Sequence, residues 1–392
     1  MTAPLRVGVV GLGIRGFWIA HMARECPEIE LVAMADMKEE MLAIAREKFP
    51  GVALFPSGAA MAREADIEAV LIGTGDRFHY GNAREALENG RHVLIEKPMA
   101  QSFDDLIAIA RLQRQSGRTV GTFLEMRQNA IWQHARRILD SGAIGTVLAA
   151  SLVDHVGRDH AQFFARQRTR SRDQVVSLVL QKGVHSLDLL NWFMGCSPRR
   201  VAASGGLLFF GGDEPADKRC SNCATGDTCP HIHQSAGNLD PLGITVNYGD
   251  DHCVWSRACD VEDVTLVNIE YVGGRVASYR EVHFAPYYGL HFTLYGSKAQ
   301  LDIEANHDTG EAWVEVTERY TRERKREQPS GDTGHGNADN DLLADFARAC
   351  REGREPLSGL RAGFESAAIA IGARHSLDTG TFVDLPLLDE LS

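Results

Sequence analysis

Apolar and polar positions change their rhythm near residue 122 of the chain. Before that point, "LRVGVVG", "IELVAMAD", "IEAVLIGTG", "HVLIEKP" and "RTVGTFLE" are short, continuous apolar runs of the kind a parallel sheet buries on both faces. Between them the spacing predicts helices over 15–25, 38–49, 80–89 and 103–116, and Gly90 and Gly117 follow the last two where a left-handed cap is wanted. Strand and helix in strict alternation imply a doubly wound α/β sheet with right-handed crossovers.

Beyond residue 122 the pattern predicts a helix over 129–141, closed by Gly142, and then alternating strands in "TVLAASLVD", "DVTLVNIEYVGGRVASYREVHF" and "HFTLYGSKAQLDIEA". The "VGG" between two of these runs signals a hairpin. Amphipathic helices over 339–351 and 363–377 complete the chain. The expected organisation is two domains. Residues 1–121 carry the doubly wound parallel sheet, and residues 122–392 form an α+β unit with a large, mostly antiparallel sheet open on one face. The charged run "ERYTRERKREQ" reads as a solvated edge or loop.

Composition narrows the partners. With 392 residues at 44% hydrophobic content the chain can bury an ample core, and a formal charge of −12 disfavours nucleic acid or an anionic membrane surface. No apolar run approaches the roughly 18 residues of a membrane span. "MTAPLRVGVVGLG" enters a Val-rich strand with no basic or long apolar leader, so a cytoplasmic protein is expected. In that compartment the 8 cysteines are expected as thiols or metal ligands rather than disulfides.

The first candidate chemistry is "VGVVGLGIRG", where Gly11, Gly13 and Gly16 stand in G-x-G-x-x-G spacing at a strand-to-helix turn. Such glycines allow a tight turn and close backbone approach to a pyrophosphate. Ile14 and Arg15 open the helix whose N-terminus would meet it. Asp36 ends the next strand 20 residues after Gly16, placed to bind adenosine ribose hydroxyls and to repel a 2′-phosphate, which favours NAD over NADP. Ligands of such sheets bind beyond the carboxyl ends of the strands. Thr74, Gly75, Asp76 and His79 lie at one such end, and Glu96, Lys97 and Pro98 at another.

With these features the chain resembles the Gfo/Idh/MocA oxidoreductases, which include glucose-fructose oxidoreductase and inositol dehydrogenase. The resemblance rests on "GLGIRG", on "GRHVLIEKPMA", on "MRQNAIWQHARRILDSGAIGTV" with Arg127, and on the C-terminal helix pair. It implies an NAD-dependent enzyme of Rossmann fold in which Lys97 meets the reacting sugar hydroxyl, aimed by a cis bond to Pro98, with Glu96 as its support. It also implies dimers or tetramers built through the open sheet face.

The family's second motif, an Asp four residues before a His, is altered in "VLQKGVHSLDLLNWFMG": His185 matches the His, but Gln181 replaces the Asp. Gln181 cannot transfer a proton, so proton handling falls to His185, Lys97 or Lys182. By helical spacing Gln181, His185 and Asp188 share a face. Asp154 and His155 follow a strand of the second domain and could reach the same cleft. Arg166, Arg168, Arg170 and Arg172 alternate in "ARQRTRSRD"; Arg166 and Arg168 are the candidates to grip an anionic sugar substituent.

A loop over 218–233 holds Cys220, Cys223 and Cys229 in C-x2-C-x5-C spacing, followed by His231 and His233, a set that suits structural zinc. His231, His233, Cys253 and Cys259 are candidates for the fourth ligand, and the resemblance favours Cys253. The expected reaction is NAD-dependent removal of hydride from a secondary ring hydroxyl of a pyranose sugar, glycoside or cyclitol. The alternative, also drawn from the family, is a glycoside hydrolase that oxidises the ring transiently, eliminates the aglycone, adds water and returns the hydride.

Overall fold

The computed structural model describes residues 3–233, 251–329 and 337–391. The N-terminal sheet contains β1 (Leu5–Val10), β2 (Ile29–Ala35), β3 (Ala53–Phe55), β4 (Ala69–Ile72), β5 (His92–Ile95) and β6 (Val120–Thr122), in the order β3-β2-β1-β4-β5-β6. All of its pairings are parallel. The strands are buried on both faces: Val7, Val9, Leu71 and Leu94 pack with Phe17 and Ile19 on one side, and Val10, Ile72 and Ile95 with Leu106 and Ile109 on the other. The strand order reverses between β1 and β4, which opens a crevice at their carboxyl ends.

Among the described residues the second sheet has nine strands: β7 (Val147–Gly157), β8 (Pro198–Gly206), β9 (Val264–Tyr271), β10 (Val276–Ala285), β11 (Gly289–Gly296), β12 (Ala299–Asn306), β13 (Ala312–Glu318), β14 (Arg324–Glu327) and β15 (Val383–Asp384). Their order is β14-β13-β12-β11-β7-β10-β9-β8-β15, antiparallel except for β7 with β10. Burial alternates along β10, so Tyr279, Glu281 and His283 face inward and Ser278, Arg280 and Phe284 outward. The helices Ala130–Asp140, Val184–Met194 and Leu360–Thr379 cover the inner face.

The expected helices form within a few residues of their sequence bounds, and Phe103–Ser116 coincides with its own. Ser102 caps that helix by accepting from the amide of Asp105, and Gly117 ends it at φ 63. The strands β3, β8, β13 and β15 were not anticipated. "PRRVAASGG" in β8 mixes Pro, Arg and Gly, and "AWVEVTE" in β13 is mostly half-buried, so neither presents a clean alternation. The run "ERYTRERKREQ" contains the exposed edge strand β14. The helix Ala338–Glu352 buries Leu342, Leu343, Phe346 and Ala347 in the core of the first sheet. Among the described residues no helix is long and apolar enough to cross a membrane.

Candidate active site

The glycine-rich turn brings β1 against the loop after β4. Gly11 has φ +87, and a side chain there would lie 2.7 Å from the Thr74 backbone. Gly13 caps the helix Ile14–Glu25 without any side-chain hydrogen bond, which leaves the cap position open to an anion. Asp36 accepts from the amides of Leu12 at 2.7 Å and Lys38 at 2.9 Å, one per oxygen, and a carboxylate keeps acceptor capacity beyond these. The residues therefore fit a dinucleotide along the crevice.

At the crevice mouth lies a cavity of about 490 Å³. It is lined by Arg15, Thr74, Asp76, Glu96, Lys97, Arg168, Gln181, Lys182 and His185, all expected, and by Glu125, His160, Phe164, Tyr288 and His307. Among the described residues, Thr74 Oγ1, Asp76 Oδ2 and Gln181 Oε1 in its lining are buried without a hydrogen-bond partner. Buried polar atoms are normally satisfied, and three in one concave site point to a ligand rich in hydroxyl or amide donors.

Lys97 is fixed by both of its ends. Glu96 accepts from its backbone amide at 2.8 Å and is itself held by the Arg15 guanidinium, whose other side forms a forked pair with Asp339 at 2.8 and 3.1 Å. The Lys97–Pro98 bond is cis. The Lys97 ammonium donates to the Gln181 carbonyl at 2.6 Å. Residues Val179–Gly183 form a π-helical turn, and such a turn loosens the i→i−4 ladder and lets a carbonyl accept from outside the helix. Gln181 thus meets Lys97 through its backbone and the cavity through its side chain. His185, on the next turn, has Nδ1 3.6 Å from Glu125 Oε2.

Lys182 points to the other side of that turn. Its ammonium contacts Asp154 on β7, which is wholly buried and also accepts from Ser186 and, at 3.2 Å, from Tyr279. Tyr279 donates to Glu281 at 2.5 Å, and Glu281 Oε1 lies 2.6 Å from His283 Nε2. Burial pushes the Asp154 carboxyl up, but attraction to Lys182 and the hydrogen bonds from Lys182 and Ser186 outweigh it, so it lies below the usual range. For Lys182 burial acts downward and Asp154 more than offsets it, so the ammonium is held above its usual range. Tyr288 places its ring 5.4 Å from Lys182 Nζ and stacks on His160 at 4.8 Å. Burial, reinforced by Lys182, pushes His160 down to about 3, which makes it a neutral wall of the cavity.

Several expected residues serve elsewhere. Arg127 forks onto Asp188 at 2.6 and 2.8 Å and donates to the Leu357 carbonyl, so it holds Asp188 and does not line the cavity. His79 is buried with its two ring nitrogens 2.7 Å from the Pro98 carbonyl and 3.0 Å from that of Thr74; it pins two strand-end loops together rather than facing a ligand. His155 packs against Tyr287 with the rings tilted and their centroids 4.6 Å apart, because neighbours on a strand point to opposite faces and Asp154 takes the inner one. Arg166 is buried on Gln162, His231, His252 and Cys220. Arg168 alone of the four arginines reaches the cavity, 3.6 Å from Asp76. Of the residues that sequence reasoning missed, His160 stands three residues after the end of β7 and Tyr288 in the loop between β10 and β11, and neither carried a motif.

The cysteines are all unpaired. Cys220, Cys223, Cys229, Cys253 and His231 line a separate cavity of about 110 Å³, whereas Cys259 donates to the carbonyls of Ala165 and Val254. Among the described residues no three His, Cys, Asp or Glu side chains stand as a ready metal-holding group, so the expected zinc has no preformed cage.

The YteT protein of Bacillus subtilis is 24% identical over 396 residues, covering 91% of each chain. D-glucoside 3-dehydrogenase of Escherichia coli is 21% identical over 284 residues, 71% of this chain and 77% of that one. An oxidoreductase from Agrobacterium radiobacter, solved with NAD+, L-tartaric acid and magnesium, superposes with a TM-score of 0.73 at 15% identity, covering 97% of this chain and 98% of that one. Residues 5–123 match the model of the oxidoreductase family with an NAD-binding Rossmann fold, and residues 136–385 match that family's C-terminal alpha/beta domain. The chain belongs to the Gfo/Idh/MocA family and is an NAD-binding oxidoreductase.

Proposed function

We propose that the enzyme removes hydride from a secondary ring hydroxyl of a pyranose sugar, glycoside or cyclitol, with NAD rather than NADP as acceptor. The carrying observation is the trio of unpartnered acceptors, Thr74 Oγ1, Asp76 Oδ2 and Gln181 Oε1, in the cavity that also holds Lys97 and His185. A polyol ring offers donors to all three. The dehydrogenase named among the relatives acts, by its name, on a glucoside.

NAD, when bound along the glycine-rich turn, supplies the hydride acceptor. Lys97, anchored by the Gln181 carbonyl, donates to the reacting hydroxyl oxygen and fixes the carbon beside it. His185, oriented by Glu125, takes the hydroxyl proton. Glu96 stiffens the Lys97 backbone and stays tied to Arg15. Lys182, neutralised by Asp154, sets the local field and positions Tyr288. Arg168 is the one residue of the arginine run in place to meet an anionic substituent. A panel of neutral pyranosides, inositols and uronates assayed for NADH formation tests the reading. Turnover restricted to acyclic alcohols would sink it.

One observation favours the glycosidase as a second reading. Tyr288, whose phenol burial holds above its usual range and so protonated, lines the cavity apart from His185 as an acid for a departing aglycone oxygen, which leaves His185 as the base at the carbon beside the transient ketone. Aglycone release without net NADH would establish that reading.

A further inference from the structure

The helix Val184–Met194 brings His185 to the redox cavity at one end and meets a second, larger cavity at the other. Gly195 closes this end at φ 63, and the chain turns through Cys196 and Ser197 into β8, with the Ser197 carbonyl accepting from the Val272 amide at 2.9 Å. Residues of the link between the helices Ala338–Glu352 and Leu360–Thr379, and of the C-terminal segment after β15, complete the lining. The volume is about 810 Å³, within the range of small-molecule sites, and no lining residue is shared with the redox cavity.

Two features give this cavity a chemical preference. Asn191 in its lining is only 6% exposed; its Oδ1 accepts from the Tyr271 hydroxyl at 2.9 Å, whereas its buried Nδ2 has no partner among the described residues. An open amide donor of this kind is matched by an acceptor oxygen on a ligand. The second feature is charge. The lining sets four carboxylates, Glu355, Glu365, Asp389 and Glu390, against Arg127 and Arg361. Arg361 is already divided between Glu365 at 2.9 Å and Asp389, and Arg127 is committed to Asp188. Glu355 and Glu390 are exposed, and neither has a salt bridge among the described residues. Glu355 is laid over Gly359, where a Cβ would come within 2.6 Å of its Oε1. Such a lining attracts a cation and repels an anion.

We propose that this cavity binds a hydroxylated amine of sugar size, an amino sugar or aminocyclitol, at a site separate from the redox reaction. A ring hydroxyl accepts from Asn191 Nδ2, the ammonium is drawn to Glu355 and Glu390, and ring carbons pack on Trp192, Leu357 and Ala362. The turn Glu125–Gln128 serves both cavities as the helix does, giving Glu125 to the redox cavity and Arg127 to this one. The occupant therefore touches the frame that holds His185 without competing for the substrate's place.

Isothermal titration of the full-length protein, saturated with NADH, against glucosamine, glucose and glucuronate tests the proposal. Glucosamine is expected to bind about ten-fold more tightly than glucose, and glucuronate not measurably. The double variant Glu355→Gln, Glu390→Gln should abolish that preference while NADH affinity stays unchanged, and because both side chains are exposed the fold is not put at risk. Asn191→Leu should weaken glucosamine and glucose alike; should this buried substitution fail to fold, the glutamine pair still decides. Lys97→Met, in the redox cavity, should leave glucosamine affinity within two-fold. Equal affinity for glucosamine and glucose, tighter binding of glucuronate, no binding of any of the three, a preference that survives in the glutamine pair, or glucosamine binding lost in Lys97→Met would each overturn it.

Discussion

Lys97 and Lys182 stand in one cavity and do different work, because their carboxylate neighbours differ. Glu96 holds the Lys97 amide and leaves the ammonium to a carbonyl, whereas the Lys182 ammonium is closed onto buried Asp154. Replacing Lys97 with Met should lower kcat by about 10²–10⁴ while NAD+ affinity, read by fluorescence titration, changes little. Lys182→Met should instead cost about 3–5 kcal/mol of stability in urea unfolding, since it strands a buried carboxylate, and Asp154→Leu added to it should recover much of that loss. The pH dependence follows from the two shifts. The depressed Asp154 contributes stability that is present above its unfolded pKa and lost as pH falls through the lower folded one. The raised Lys182 contributes stability that is lost only as pH climbs through its elevated folded value. The pair thus supports the fold across the neutral range. Lys97, His185 and Gln181 could be read from the sequence because each sits at a strand end or on a helix face beside a motif. The fates of Arg127 and Arg166 could not, because spacing does not tell which distant carboxylate or carbonyl a long guanidinium will find.

At the scale of elements, the turn Val179–Gly183 is the joint between cofactor side and substrate side. Its π geometry gives Lys97 a carbonyl, faces Gln181 into the cavity and sends Lys182 to Asp154. Hydrophobic periodicity does not distinguish a single π turn from α-helix, so this part of the site was hidden from the sequence. Gly183 lets the turn press on β10: a Cβ there would meet Glu281 Oε2 at 2.5 Å and Tyr279 Oη at 2.8 Å. Gly183→Ala should destabilise the protein by about 1–3 kcal/mol in thermal unfolding and lower turnover more than NAD+ binding. The glycine-rich turn was legible for the opposite reason, since its chemistry depends on absent side chains. Gly16→Ala would place a Cβ 1.7 Å from the Gly11 carbonyl oxygen and should abolish NAD+ binding in the same titration.

The whole molecule joins two sheets through a helix that the linear order conceals. Ala338–Glu352 follows strand β14 of the second sheet in sequence yet packs on the first sheet, and its Asp339 grips Arg15 behind Glu96. The parallel sheet could be read strand by strand from its apolar runs, while β8 and β13 escaped because partners in space, not their own alternation, make them strands. The outer face of the second sheet leaves Leu266, Val276 and Tyr295 exposed at 39%, 48% and 46%. We propose that this face joins copies of the chain, with a dimer or tetramer expected by light scattering and a monomer at micromolar concentration as the contrary result. Oxidation of a ring hydroxyl beside NAD is tested by the time course of NADH absorbance as the enzyme, with excess NAD+, meets a responsive pyranoside or inositol. Steady accumulation is expected, one NADH for each ketone formed and lost in Lys97→Met; substrate consumption without accumulating NADH would show that net oxidation does not occur.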